Sequence, residues 1–152
     1  MSVNIRNLDI SINGNSIVHD VQLTIADGER VGLIGSSGSG KSMIAKAMMG
    51  ILPSMAQVSG DIDLDGTHVV GATDEVMATL RGRSVGMVFQ NPSVALNPVM
   101  TVAQQVGLPL YLHYDLTLEE RAERVKTMLS KVGLAEDALL KYPHELSGGQ
   151  QQ

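Results

Sequence analysis

The stretch Arg30-Val31-Gly32-Leu33-Ile34-Gly35-Ser36-Ser37-Gly38-Ser39-Gly40-Lys41-Ser42 decides how the rest of the chain is read. Its opening residues form a compact apolar run before a glycine, the pattern of a strand buried on both faces of a parallel sheet. From Gly35 to Ser42 every fixed position of the pattern G-x-x-x-x-G-K-[ST] is met. Each residue type there has a physical reason. Glycines let the backbone curl so that successive N–H groups point inward at an anion. A helix starting at the end of the loop adds the positive end of its dipole. In this pattern Lys41 reaches the β- and γ-phosphates of a nucleotide and the Ser42 hydroxyl serves Mg²⁺. A flexible glycine-serine linker needs neither a strand before it nor a helix after it. Both signals flank this loop.

Upstream, residues 3–25 read as short β-prone pieces broken at Asn13-Gly14-Asn15, a turn signal. Ile17-Val18 and Val21 to Ile25 read as strand, partly alternating, and Asp27-Gly28-Glu29 turns the chain. Downstream, Lys41 to Met49 is rich in helix formers, Gly50 stops the helix and Pro53 lies beyond it. Asp61-Ile62-Asp63-Leu64-Asp65 alternates strictly before the hairpin signal Asp65-Gly66. That period of two places the three aspartates on the solvent face of a strand, which explains them better than a metal cluster does. Ser84 to Phe89 reads as a further strand ending at Gln90.

From Asn91 the character changes. Thr101…Gln104 and Thr117…Glu120 both carry the capping-box pattern that starts a helix. Ala122, Val125, Leu129 and Val132 step by three and four along the second helix, and Gly133 closes it. Residues 1–90 are therefore expected to be mixed α/β and residues 91–152 mainly helical.

Composition removes several classes of function. The 152 residues carry a net charge of −5 and only 3% aromatic residues, which argues against a nucleic-acid surface or a base-stacking platform. With no cysteine there are no disulfides, thiolate metal sites or cysteine nucleophiles. The four histidines, His19, His68, His113 and His144, are too scattered for metal-ligand spacing. No apolar run approaches the ~18 residues that a membrane span requires. The first residues lack the pattern of a secretory signal, which is compatible with the cytoplasm.

Two further motifs narrow the reading. Leu146-Ser147-Gly148-Gly149-Gln150 resembles the signature motif of ATP-binding-cassette proteins, and Gln90 resembles the glutamine of their Q-loop. With the phosphate loop first, all three stand in the family's order. Phe89-Gln90-Asn91-Pro92, Ala95-Leu96-Asn97-Pro98 and Tyr142-Pro143-His144-Glu145 look like the dipeptide, oligopeptide and nickel importer branch. The resemblance implies an α/β fold, a P-loop NTPase core with an antiparallel β subdomain and a helical subdomain. It further implies a cytoplasmic-face motor subunit that binds ATP and Mg²⁺, the metal held by Ser42 and Gln90. Ser147, Gly148, Gly149 and Gln150 would touch the γ-phosphate held by the phosphate loop of a second ATPase subunit. Gln90 would have a catalytic, coupling role toward membrane permease subunits, with residues 91–112 as the docking surface and a solute-binding protein further out. A soluble, non-transport cassette ATPase is the alternative, as is a catalytically inactive remnant; the importer-like segments and the lack of long coiled insertions favour transport.

The sequence departs from the family in two respects. Ile12 stands where members carry an aromatic residue that stacks on adenine, so it can cover the ring but cannot stack on it. The Walker B aspartate, catalytic glutamate, D-loop and switch histidine follow the signature in the family and are expected beyond Gln152, so that these residues stop before the Walker B strand. No carboxylate follows Ser147 in the sequence. The 152-residue chain is therefore expected to release no phosphate under excess MgATP, measured beside a chain continued to the end of its reading frame. Comparable turnover by the two would place the catalytic carboxylate within residues 1–152.

Overall fold

The computed structural model describes residues 1–152, which divide into two compact units, Met1–Val85 and Gly86–Gln152. In the first, β1 (Val3–Ile12), β2 (Asn15–Ile25), β3 (Ala56–Leu64) and β4 (Thr67–His68) form an antiparallel sheet in the order β2-β1-β3-β4. The turns are those the dipeptides demand. Asn13 and Gly14 have φ of 50° and 79°, and Asp65 and Gly66 have 54° and 89°, the left-handed pairs that match the twist of two-residue hairpins.

The sheet bends at a paired irregularity. Between Arg6↔Asp61 and Asp9↔Ser59, the two residues Asn7 and Leu8 face Gly60 alone, and the register of β1 against β2 shifts there too. Asn7 and Asp20 both have positive φ, and the Asn7 side-chain amide donates to the Asp20 carboxylate at 2.9 Å. The extra residue changes which parity faces inward. Val3 and Ile5 before it and Leu8 and Ile10 after it thus all point into one core. The partial alternation of Val18 with Val21, Leu23 and Ile25 has the same cause, with Asp20 at the break.

Against this face packs α1 (Lys41–Met48), through Ile44 and Ala47, with α2 (Asp74–Leu80) contributing Met77. Gly50, at φ 61°, closes α1: its N–H bonds Ala47 O at 3.0 Å and that of Ile51 bonds Lys46 O at 3.0 Å, a Schellman motif. Arg81 then clamps this end, where the helix dipole is negative. Its Nε donates to Met49 O at 2.9 Å and its Nη2 to Gly50 O at 3.0 Å, while Nη1 pairs with Asp74. The aspartates of β3 lie opposite buried Ile62 and Leu64, as the period of two requires. Asp61 holds His68 Nδ1 at 2.7 Å, and Asp9 holds His19 Nδ1 at 2.6 Å; each carboxylate raises its histidine's pKa.

Two expected strands are absent. Residues 30–34 belong to no strand and are exposed, Ile34 at 94%. Residues 84–89 contribute only the bridge of Val85 to Arg81, and Val88 is exposed. The apolar pattern in each is real, but a strand exists only with a hydrogen-bonding neighbour, and beyond that one bridge no segment of residues 1–152 pairs with either one.

The second unit holds the short α3 (Pro92–Ala95), α4 (Val102–His113), α5 (Leu118–Lys131), 3₁₀ turns at Glu136–Leu140 and Pro143–Glu145, and α6 (Gly148–Gln151). Both capping boxes form, Thr101 with Gln104 and Thr117 with Glu120. The end of α5 is a second Schellman motif, Leu134 N–H to Leu129 O at 3.0 Å and Gly133 N–H to Ser130 O at 3.1 Å. Its apolar stripe is narrower than the sequence suggests: Val125 and Leu129 are buried with Val102, Leu110, Ala138 and Leu146, whereas Ala122 and Val132 are exposed.

The bulge yields a stability test. Gly60 has φ +95°, and a Cβ there would lie 2.7 Å from Arg6 O and still closer to Asn7 O, both backbone atoms that cannot rotate away. Gly60→Ala should destabilise the first unit by about 3 kcal/mol or more, combining left-handed strain with the clash. Urea unfolding followed by circular dichroism reads this directly, and a change below about 1 kcal/mol would be incompatible with the bulge described.

Candidate nucleotide-binding site

The phosphate loop, residues 35–42, lies in the first unit on the lead into α1. Gly38 and Gly40 adopt φ of 80° and 85°, conformations that a side chain would strain, and Ser39 N–H closes a turn onto Ser36 O at 3.3 Å. Gly40 caps α1 and is buried directly against β2. A Cβ there would fall 2.7 Å from Val18 Cγ2 and 2.9 Å from Ile17 O. The glycine is thus required twice, by its dihedral and by the contact that seats the helix N-terminus on the sheet.

Lys41 folds back along the loop. Its Nζ donates to Gly35 O at 2.8 Å, Ser36 O at 2.6 Å and Ser39 Oγ at 3.1 Å, using all three ammonium donors. Gly35 leaves room for this arrangement, since a Cβ there would stand 2.8 Å from Ser39 Oγ. Ser36, Ser37 and Ser42 are exposed, Ser42 in the first turn of α1. A positive side chain inside a curled loop, at the positive end of a helix of eight residues, suits an anion with several oxygens. Hydroxyls on the rim suit a hard cation accompanying it.

Ile12, assigned to the adenine side, is half-buried at the end of β1, opposite Asn15 across the hairpin and Ala56 on β3. No Phe, Tyr or Trp occurs among residues 1–85, so no ring within this unit takes the place of the aromatic.

The other candidate residues belong to the second unit. Gln90 is exposed, one residue before the Asn91 that precedes α3. Ser147 is the N-cap of α6: its Oγ accepts from Gln150 N–H at 3.3 Å, and Gln150 Oε1 accepts from Ser147 N–H at 3.0 Å. The cap engages an acceptor lone pair of Ser147 and leaves its O–H as a donor. Gly148 and Gly149 are exposed with open space where a Cβ would be, so their backbone can be approached closely. Gln150 turns its side chain inward onto Ser147, a role that its place in the motif does not announce. Arg81 was also invisible in the sequence. A lone arginine after a short helix carries no periodic or spacing signal, yet it holds the far end of the helix that begins at the phosphate loop.

The ABC transporter family model matches residues 18–152. The oligopeptide transport ATP-binding protein OppD of Lactococcus lactis subsp. cremoris is 40% identical over 138 residues, covering 89% of this chain and 41% of the relative. The uncharacterized ABC transporter ATP-binding protein YejF of Escherichia coli is 39% identical over 141 residues, covering 90% and 27%. The chain thus spans less than half the length of these curated relatives. Among solved structures, the dimeric post-hydrolysis state of the ATP-binding cassette MJ0796, bound to ADP and Pi, superposes with a TM-score of 0.85 at 30% identity, over 98% of this chain and 65% of that one. The cassette cbiO1 from Clostridium perfringens, part of the ABC transporter complex cbiONQ, gives 0.73 at 27% identity, over 98% and 57%. With the phosphate loop, the glutamine and the capped Ser-Gly-Gly turn all present in that frame, the chain belongs to the ABC transporter family.

Proposed function

We propose that this chain is the nucleotide-binding portion of an importer ATPase, which binds MgATP, pairs with a second ATPase subunit through it, and in the whole protein hydrolyses it to drive uptake of peptides or a related solute. The observation that carries this reading is the loop of residues 35–42, curled around the Lys41 ammonium and seated through Gly40 on β2. An incoming phosphate offers Lys41 charged oxygens in place of neutral carbonyls, and a charge-assisted bond is the stronger one. The backbone of residues 35–40 and the start of α1 then supply N–H groups without further ordering.

Ser42 and Gln90 are the residues proposed to hold Mg²⁺, which when bound neutralises charge on the β- and γ-oxygens. The Ser147 O–H and the backbone of Gly148 and Gly149 would donate to the γ-phosphate of the opposing subunit, so that the site is complete only in the pair. No helix is long and apolar enough to cross a membrane, so attachment to the cytoplasmic face would run through permease subunits. The surface proposed for them, residues 91–112, exposes Val94, Val99, Leu108, Tyr111 and Leu112. A solute-binding protein would choose the cargo. The match to peptide-import relatives supports the peptide class.

Two variants test the reading. Lys41→Ala should weaken the binding of a fluorescent ATP analogue by about 1.5–3 kcal/mol or more, roughly ten- to over a hundredfold in Kd, and equal affinity would sink the phosphate-loop assignment. Ile12→Tyr restores a ring at the adenine side and should tighten binding by about 0.5–1.5 kcal/mol. An unchanged Kd there would remove Ile12 from the site.

A further inference from the structure

Ser147 is the N-cap of α6, and the groups that orient it lie on both sides of it in the chain. The orientation comes from three side chains. Leu146, immediately before the serine, is buried among Val102, Leu110, Val125 and Leu129. Gln150 closes the cap. The third is Gln151, half-buried, whose Nε2 donates to Pro143 O at 2.8 Å and to Leu146 O at 3.2 Å. Those two carbonyls bracket the segment leading into Ser147, and both donors of one amide are spent on them. The Gln151 backbone N–H also bonds Ser147 O at 3.0 Å. The residue thus ties the serine to the turn before it from both its main chain and its side chain.

We propose that Gln151 is a positioning residue for Ser147, its side-chain amide locking the Pro143–Leu146 turn so that the serine hydroxyl is presented in one orientation. The proposal rests on the reading of Ser147 as a phosphate donor in trans. Its chemistry predicts which replacements fail. Glutamate has the same shape but no donor when ionised, and it sets a carboxylate against two carbonyl oxygens. Lysine keeps the donors.

Amide hydrogen exchange on this chain reads the positioning, and steady-state turnover by the full-length ATPase reads its consequence. Gln151→Glu should speed exchange of the Gln150 N–H, the group bonded to Ser147 Oγ, by about tenfold while Val125 and Leu129 keep their protection. Turnover should fall about tenfold with little change in the ATP concentration for half-maximal rate. Gln151→Lys should restore both to within about threefold of the parent. Unaltered exchange and turnover in Gln151→Glu would overturn the proposal, as would equal loss of protection at Val125 and Leu129, or failure of lysine to rescue. Analogue binding by Lys41→Ala separates the two levels. Wild-type affinity there defeats the nucleotide reading itself, whereas lost affinity with an indifferent Gln151→Glu defeats only this proposal.

Discussion

At Gly40 the backbone passes so close to β2 that a single methyl group would collide with Val18 and with the Ile17 carbonyl, and it does so with φ at 85°. That contact fixes the origin of α1 relative to the sheet, and with it the place where the helix dipole ends and the Lys41 side chain begins. The rest of the first unit works to hold the same helix still. Ile44 and Ala47 seat it on the sheet, the Schellman turn at Gly50 ends it, and Arg81 covers its last carbonyls. An anion site made largely of main-chain groups has no long side chains with which to correct errors, so its precision comes from the mounting.

The second unit meets the opposite difficulty. Its Ser-Gly-Gly turn is exposed and carries no apolar side chain with which to order itself. The ordering is supplied instead by short-range hydrogen bonds from Gln150 and Gln151 and by the buried Leu146 behind it.

Exposed apolar residues mark the segments whose composition and pairing disagree. Val31, Leu33, Ile34 and Val88 carry the composition of interior strands yet face solvent, because strand formation is a property of two segments and none here pairs with them. The four-stranded antiparallel sheet is self-sufficient by contrast, since all its partners lie within residues 3–68.

The features legible in the sequence share a cause: their physics is local. Asn13-Gly14 and Asp65-Gly66 specify left-handed turns, Thr101 and Thr117 cap the residues three places on, and Gly50 and Gly133 end helices within two residues of themselves. The phosphate loop is legible for the same reason, because curvature, charge and helix start lie within eight consecutive residues. Residues whose role depends on a distant partner were not legible. Asn7 breaks the alternation of β1, but only the approach of Gly60 and Asp20 turns that break into a bulge and returns Leu8 and Ile10 to the core. Arg81 gains its meaning from carbonyls some thirty positions earlier, and Gln151 from the Pro143 and Leu146 carbonyls, to which no spacing in the sequence points. Sequence alone therefore determined the chemistry of the loop and the punctuation of the chain. Tertiary structure decided which apolar runs found neighbours and which polar side chains became supports, because both depend on segments brought together in space.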